Sequence, residues 1–230
     1  MSEILHSNYL FFIVLSLVLN ILVSIIMGVK NRRLKIRIIF KYAILESIGI
    51  VLGAKILDII VNYDIYMYYT NNNMFLKILT SGYAFLGGIF GAILSVAIYS
   101  IIVDEDFKEL CDIFIPNLFL VYSISKLGCF SAGCCRGISI GEYILPIQLI
   151  ESIIYICIYL FVSFRKDRGN NKIYLSCLLF GFSRFLVEFF RENTGYMYLS
   201  ISQVLTIVIF IIGIRLYYFE YMKKLNKQRR

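Results

Sequence analysis

Apolar residues run along this chain in blocks of about twenty, enough to cross roughly 30 Å of hydrocarbon, with short polar or charged stretches between them. Seven such blocks can be placed. The first spans about Tyr9 to Val29 and ends in Lys30-Asn-Arg-Arg-Leu-Lys-Ile-Arg37. The second, about Ile38 to Val61, carries Lys41, Glu46, Lys55 and Asp58. Lys55, Asp58 and Asn62 follow spacings of three and four, so they share a helical face expected to look into protein and away from lipid. A polar, tyrosine-rich loop, Asn62 to Asn73, precedes the third block, which holds Gly82, Gly87, Gly88 and Gly91. The pair at 87 and 91 is a Gly-x-x-x-Gly spacing that permits close helix packing. The fourth block runs from about Asp112 to Phe130 and the fifth from about Ile144 to Phe164. The sixth runs from about Ile173 to Phe190 and the seventh from about Leu199 to Tyr218.

This pattern predicts an all-α, polytopic integral membrane protein of about seven transmembrane helices. It forms one domain over residues 1–230, with a basic cytoplasmic tail from about 219. Composition agrees: 60% of residues are hydrophobic and only two are proline. The net charge of +8 does not indicate nucleic acid, because the lysines and arginines fall in short clusters between apolar blocks, which is how membrane orientation is encoded. Those clusters, at 30–37, 165–168 and 223–230, place the N-terminus outside and the C-terminus in the cytoplasm. Asp104-Glu-Asp-Phe-Lys-Glu109 reads as a cytoplasmic turn, since acidic residues contribute little to orientation. The first block lacks a basic n-region and a small-x-small cleavage site, so it is expected to be retained as a helix.

Against this background Lys77, Lys126, Arg136, Arg184 and Arg191 stand out, because the charge pattern puts them towards the outside. Arg184, Glu188 and Arg191 recur at i, i+4 and i+7, on one helical face over about 10 Å. A permanently charged guanidinium in a span calls for an aqueous or ligand-filled cavity, and its planar fork suits a phosphate. A structural ion pair between helices is the other reading. Gln148, Glu151, Ser152 and Tyr155 make a second polar face, to which Gln203, Lys55 and Lys126 would add. The stretch Lys126-Leu-Gly-Cys-Phe-Ser-Ala-Gly-Cys-Cys-Arg-Gly137 is the sharpest interruption of the apolar pattern. It is read either as a membrane-edge loop or as a site. Its adjacent Cys134 and Cys135, with the lone His6 elsewhere, make a metal site unexpected, while Cys129, Cys134 and Cys135 suit thiol exchange on an oxidising side. No nucleophile elbow, P-loop or dinucleotide fingerprint occurs.

Taken as ordered blocks between about Ile50 and Gly213, the chain resembles the prolipoprotein diacylglyceryl transferase family of bacterial inner-membrane enzymes. Gly53-Ala-Lys-Ile is similar to the family's Gly-Ala-Arg-Leu, and Phe85-Leu-Gly-Gly-Ile to its Phe-His-Gly-Gly-Leu. Asp112 with Pro116, followed by the stretch from Lys126 to Gly137, resembles the region of the signature Gly-Arg-x-Gly-Asn-Phe-x-Asn-Gly-Glu-x-x-Gly. Pro146-Ile-Gln-Leu-Ile-Glu151 resembles His-Pro-Ser-Gln-Leu-Tyr-Glu. Arg184-Phe-Leu-Val-Glu-Phe-Phe-Arg191 matches Arg-Phe-x-x-Glu-Phe-x-Arg, and Ile201-Ser-Gln203 is similar to Met-Gly-Gln.

The resemblance implies transfer of diacylglyceryl from phosphatidylglycerol to the lipobox cysteine of a secreted precursor, in a multi-pass protein of the bacterial plasma membrane. It further implies phosphatidylglycerol, the prolipoprotein signal peptide and membrane lipid as partners, with no cofactor. Arg184, Glu188, Arg191, Lys126 and Glu151 are then the catalytic candidates. Lys55, Gly87, Gly88, Gly128, Cys129, Gly133, Gly137, Gln148 and Gln203 are the substrate-binding candidates. The chain departs from the family pattern at Leu86 and Leu145, which replace histidines, at Cys129 and Ala132, which replace asparagines, and at Cys134, which replaces glutamate. A repurposed or inactive family member that binds lipid or precursor peptide, or uses its cysteines in thiol exchange, is the alternative.

Overall fold

The computed structural model describes residues 2–31, 35–63, 82–165, 171–192 and 199–228. Lys77 and most of the expected loop from 62 to 73 lie outside them. Among the described residues there are seven helices: α1 (Ser2–Asn31), α2 (Ile36–Val61), α3 (Phe85–Val103), α4 (Phe107–Ser131), α5 (Ile147–Phe164), α6 (Asn171–Glu188) and α7 (Ile201–Gln228). A small antiparallel hairpin, β1 (Ser139–Ile140) and β2 (Tyr143–Ile144), sits between α4 and α5.

Five helices are long and apolar enough to cross a membrane: α1, α3, α4, α5 and α7. The two others, α2 and α6, carry charged residues that the structure buries. In α2, Glu46, Lys55 and Asp58 are buried, and in α6 so are Arg184 and Glu188. The polarity of the molecule is therefore inverted relative to a water-soluble bundle. Glu46 and Glu151 are 1% and 0% exposed, whereas Ile101 is 81% exposed and Phe11 62%. Large apolar side chains stand outward on every helix, though on α4, which is mostly enclosed, only Phe107 and Phe130 at its two ends do. An apolar exterior of this extent suits hydrocarbon.

The element boundaries differ in detail from the hydropathy blocks. The expected turn at 104–109 is shorter, because Asp104 adopts a left-handed conformation (φ 55°) that ends α3 and Asp106 caps α4 by accepting the Lys108 N–H at 2.9 Å. α5 begins at Ile147, since residues up to Ile144 belong to the hairpin. The basic tail is helical through Gln228, in keeping with its strong helix formers.

Packing is set by small and polar residues. α2 and α3 meet through Gly49, Gly53, Gly87 and Gly91; a Cβ on Gly87 would collide with the Gly53 carbonyl, and one on Gly91 with that of Gly49. α4 lies centrally, packed on α1 and α5, and Asn117 on α4 donates to Ser24 on α1 at 2.9 Å. Since the helices alternate in direction, α1, α3, α5 and α7 begin where α2, α4 and α6 end. Among the described residues, Lys35 and Arg37 at the start of α2, Arg165 after α5 and Lys223 near the end of α7 lie at the opposite end, and the site lies at this one.

Candidate active site

At this end a cavity of about 460 Å³ opens between the helices. Most of its wall is apolar, with Ile50, Ala54 and Leu57 from α2, Phe85 and Leu86 from α3, and Val121 from α4. One side is different in kind: Lys126, Cys129, Cys135, Arg184 and Arg191 all face it. An amphiphile would find suitable surroundings for its apolar and its charged parts on these two sides.

The cations are held from behind by carboxylates. Lys126 Nζ lies 2.5 Å from Glu151 Oε2, and Arg184 Nη1 lies 2.6 Å from Glu151 Oε1. Arg184 Nη2 reaches Glu188 Oε2 at 2.9 Å, and Arg191 Nη1 reaches the same oxygen at 3.3 Å. The result is a ladder running Lys126, Glu151, Arg184, Glu188, Arg191. The carboxylates of Glu151 and Glu188 do not line the cavity, whereas all three cations do. Three cations against two carboxylates give the ladder itself one net positive charge. Such a buried network is costly to assemble from water and becomes favourable only when every charge has partners. Here each carboxylate has two cations and a hydroxyl: Tyr122 donates to Glu151 Oε1 at 3.2 Å, and Ser200 donates to Glu188 Oε1 at 3.2 Å.

Local sequence explains the placement. Tyr122 and Lys126 are i and i+4 on α4, and the Lys126 ammonium stands 5.0 Å from the Tyr122 ring centroid. Gln148, Glu151, Ser152 and Tyr155 are all buried on one face of α5. Ser152 meets Ser123 of α4 at 3.1 Å, which fixes α5 against α4. At the start of α7, Gln203 N donates to Ser200 Oγ at 3.1 Å and Ser200 N donates to Gln203 Oε1 at 2.9 Å. This reciprocal capping box turns the Ser200 region towards Glu188.

The stretch from Cys129 to Gly137 closes the cavity's polar side. Cys134 N donates to the Cys129 carbonyl at 3.1 Å, and Gly133 (φ 68°) and Cys135 (φ 56°) both take the left-handed conformation. Gln148 Nε2 donates to the Cys134 carbonyl at 2.7 Å. Gly137 pairs with Arg191 in an isolated bridge, with Ile138 N donating to the Phe190 carbonyl at 3.0 Å and Glu192 N to the Arg136 carbonyl at 3.2 Å. A side chain at Gly137 would meet the Leu145 carbonyl. The loop is thus tied to the end of α6, which brings Cys135 to the ladder. Adjacent cysteines on an extended chain point apart, and that spacing argued against chelation. The left-handed turn overrides it: the sulfurs of Cys129, Cys134 and Cys135 lie within 4.8 Å of one another. All six cysteines are free thiols. The Cys135 thiol sits well below the usual range because Cys129 and Cys134 hydrogen-bond to its sulfur, with Lys126 and Arg191 adding positive potential against the cost of burial.

The other candidates separate from this centre. Lys55 is turned away, donating to the Gly82 carbonyl at 3.0 Å and standing 4.2 Å from the Tyr83 ring centroid. Gly87 serves the α2–α3 contact, while its neighbour Gly88 lines the cavity. Gly128 lets α4 approach Tyr9 and Phe12 of α1. Arg136 closes on its own loop, donating from Nε to the Gly133 carbonyl at 3.0 Å. Sequence reasoning missed Tyr122 and Ser200. The i, i+4 spacing of Tyr122 to Lys126 and the Ser-x-x-Gln pattern at 200–203 were the available signals.

Comparison with known proteins bears on this arrangement. Residues 4–219 match the family model described as prolipoprotein diacylglyceryl transferase. The chain is 30% identical over 207 residues to a phosphatidylglycerol–prolipoprotein diacylglyceryl transferase of Clostridium tetani, covering 81% of this chain and 82% of that protein. It is 28% identical over 206 residues to a second such enzyme, from Clostridium perfringens, covering 80% of each. A relative of the same name from Listeria welshimeri is 24% identical over 198 residues, 75% of this chain and 71% of its own.

Proposed function

The chain belongs to the prolipoprotein diacylglyceryl transferase family, and from that membership we propose how it moves diacylglyceryl from phosphatidylglycerol to the lipobox cysteine of a precursor: the cations of the cavity wall take up the lipid phosphate. It is a multi-pass membrane transferase of lipoprotein biogenesis. The observation that carries the reading is the ladder, in which Lys126, Arg184 and Arg191 face the cavity while Glu151 and Glu188 hold them from behind.

The chemistry follows from charge. Phosphatidylglycerol brings one negative charge, which the ladder's single net positive charge matches. The acceptor thiolate attacks the glyceryl carbon next to the phosphate, a C–S bond forms and the C–O bond breaks. The bonding pair leaves on the oxygen of glycerol phosphate, whose charge grows as the bond lengthens. Fixed cations in a site of low dielectric stabilise that growth more than they stabilise the bound lipid, which is what accelerates a reaction. Arg184 is the main phosphate ligand, Lys126 and Arg191 flank it, and Glu151, Glu188, Tyr122 and Ser200 are positioning residues. Gln148 holds the cysteine loop, and Gly88 leaves room for lipid.

The site opens on the outer side, with the N-terminus outside and the C-terminus in the cytoplasm. The basic segments at the opposite end support this orientation, and so does the chemistry, because a secreted precursor presents its lipobox there. α2 and α6 then cross the membrane as well, their charges turned into the protein, for seven crossings in all. The signal peptide enters with its lipobox cysteine at the polar side and its apolar segment against the lipid-facing helices.

The test is complementation. In a strain depleted of its own transferase, this chain restores growth and lipoprotein maturation, and Arg184→Ala present at equal level in the membrane does not. Restoration by the Arg184→Ala protein would remove the ladder from the mechanism.

A further inference from the structure

The cavity's polar side holds a group of side chains that the ladder chemistry does not use. Cys129, Cys134 and Cys135 bring three sulfurs within 4.8 Å of one another, and Cys129 and Cys135 line the cavity next to Lys126 and Arg191. Three thiolates around a zinc ion at about 2.3 Å stand roughly 3.8 Å apart, so at most about 1 Å of closure completes a trigonal set. The backbone is already shaped for it. Cys135 sits in a left-handed conformation that non-glycine residues rarely adopt, following Gly133 in the same region. The Gln148 and Cys134 hydrogen bonds hold the turn against α5 and α4. Hydrogen-bonded thiols alone give no reason to maintain that strained turn beside the reacting groups.

We propose that Cys129, Cys134 and Cys135 form a zinc site whose open fourth position faces the cavity and binds the acceptor cysteine as its thiolate. The second half rests on the transfer reaction proposed above. Bound as three thiolates, the cysteines give a zinc complex of net charge −1, which Lys126 and Arg191 partly neutralise. An acceptor thiol entering the fourth position loses its proton to solvent, because a coordinated thiol is deprotonated outright. Its sulfur then forms the C–S bond while glycerol phosphate departs with the C–O bonding pair. The thioether product is a poor ligand for zinc and leaves. Leu86, on the apolar wall of the same cavity, cannot accept a proton, and zinc coordination removes the acceptor's proton without a side-chain base.

The full chain, purified in detergent under reducing conditions, is incubated with zinc chloride, freed of excess metal and assayed for zinc per chain. Cobalt(II) is used in parallel, to detect thiolate-to-metal charge-transfer absorption without any mutation. One metal per chain is expected. Cys129→Ser, Cys134→Ser and Cys135→Ser should each weaken zinc binding on the order of 100-fold or more, while Cys157→Ser and Cys177→Ser retain it. Failure of the wild-type chain to hold zinc or cobalt with the three thiols reduced overturns the site, and so does a disulfide among them. Transfer is then compared between metal-free and zinc-loaded protein. Transfer that needs zinc supports thiolate delivery, and equal transfer without metal overturns that half while leaving the transferase reading intact. Zinc bound stoichiometrically with no transfer would count against the transferase reading itself, since the metal measurement does not depend on activity.

Discussion

Replacing Arg184 removes the middle rung of the ladder, and its effect can be sized from the geometry. The guanidinium joins Glu151 at 2.6 Å to Glu188 at 2.9 Å and presents its remaining surface to the cavity. In Arg184→Ala the two carboxylates keep Lys126 and Arg191 as separate pairs, and the net charge of the ladder falls from one positive to zero. A unit charge about 5 Å from a phosphate is worth roughly 3 kcal/mol at an effective dielectric constant near 20, which is about two orders of magnitude in rate. Loss of one preorganised donor to a developing oxyanion costs a similar 100- to 1,000-fold. Arg184→Lys restores charge without the fork, since an ammonium cannot bridge both carboxylates as the guanidinium does. It should recover only part of the loss. The assay is transfer to a lipobox peptide in mixed micelles of phosphatidylglycerol, with kcat and KM separated. The fall should appear chiefly in kcat, because the phosphate gains charge only as the bond breaks. Folded Arg184→Ala protein with kcat within a few-fold of wild type would refute the reasoning.

Three further outcomes follow from the same structure. Glu151→Gln leaves Lys126 and Arg184 as buried neighbours with no carboxylate between them, and breaking a buried pair in this way costs about 3–5 kcal/mol. A clearly lowered thermal midpoint in detergent should result, and an unchanged one would contradict the burial of the ladder. Gly87→Val places side-chain atoms against the Gly53 carbonyl, so α2 and α3 must separate. Reduced yield of folded protein is expected, whereas Gly141→Ala, where a Cβ meets no neighbour, should be milder and limited to the cost of its positive φ. In metal-free protein the low-lying Cys135 thiol stays ionised below the range where ordinary thiols protonate. Its alkylation by iodoacetamide should therefore persist at pH 6, where reaction of a free small-molecule thiol under the same conditions has largely ceased, and Lys126→Met should bring the two closer. A decline with falling pH that parallels the free thiol would contradict it.

The helical architecture was legible because hydrophobic blocks of membrane length are a strong signal, and the seven helices fall where the blocks do. Their ends were less so, since capping by Asp106 and the hairpin at 139–144 depend on local geometry that hydropathy does not register. The ladder was visible in parts. The spacing of Arg184, Glu188 and Arg191 and the polar face of α5 could be read from periodicity, but that Glu151 couples Lys126 to Arg184 is a contact among three helices. Lys55 shows the converse. Its spacing with Asp58 and Asn62 pointed into the protein correctly, yet the residue reaches Gly82 and Tyr83 and does not face the cavity. Gly87 and Gly88 are adjacent in sequence and part ways in space, one against Gly53 and the other at the cavity wall. The cysteine turn was the least legible feature, since adjacent cysteines converge on Cys129 only through two left-handed residues.

The most direct test of the central claim is the mass of the acceptor. Purified protein is incubated with a lipobox peptide in vesicles containing phosphatidylglycerol, or phosphatidylethanolamine as a control, and the peptide is examined by mass spectrometry. The account predicts a peptide heavier by one diacylglyceryl group on its cysteine, with an equal amount of glycerol phosphate released, from phosphatidylglycerol alone. A folded, lipid-bound protein that leaves the cysteine unmodified, with metal-free and zinc-loaded preparations alike, would contradict it.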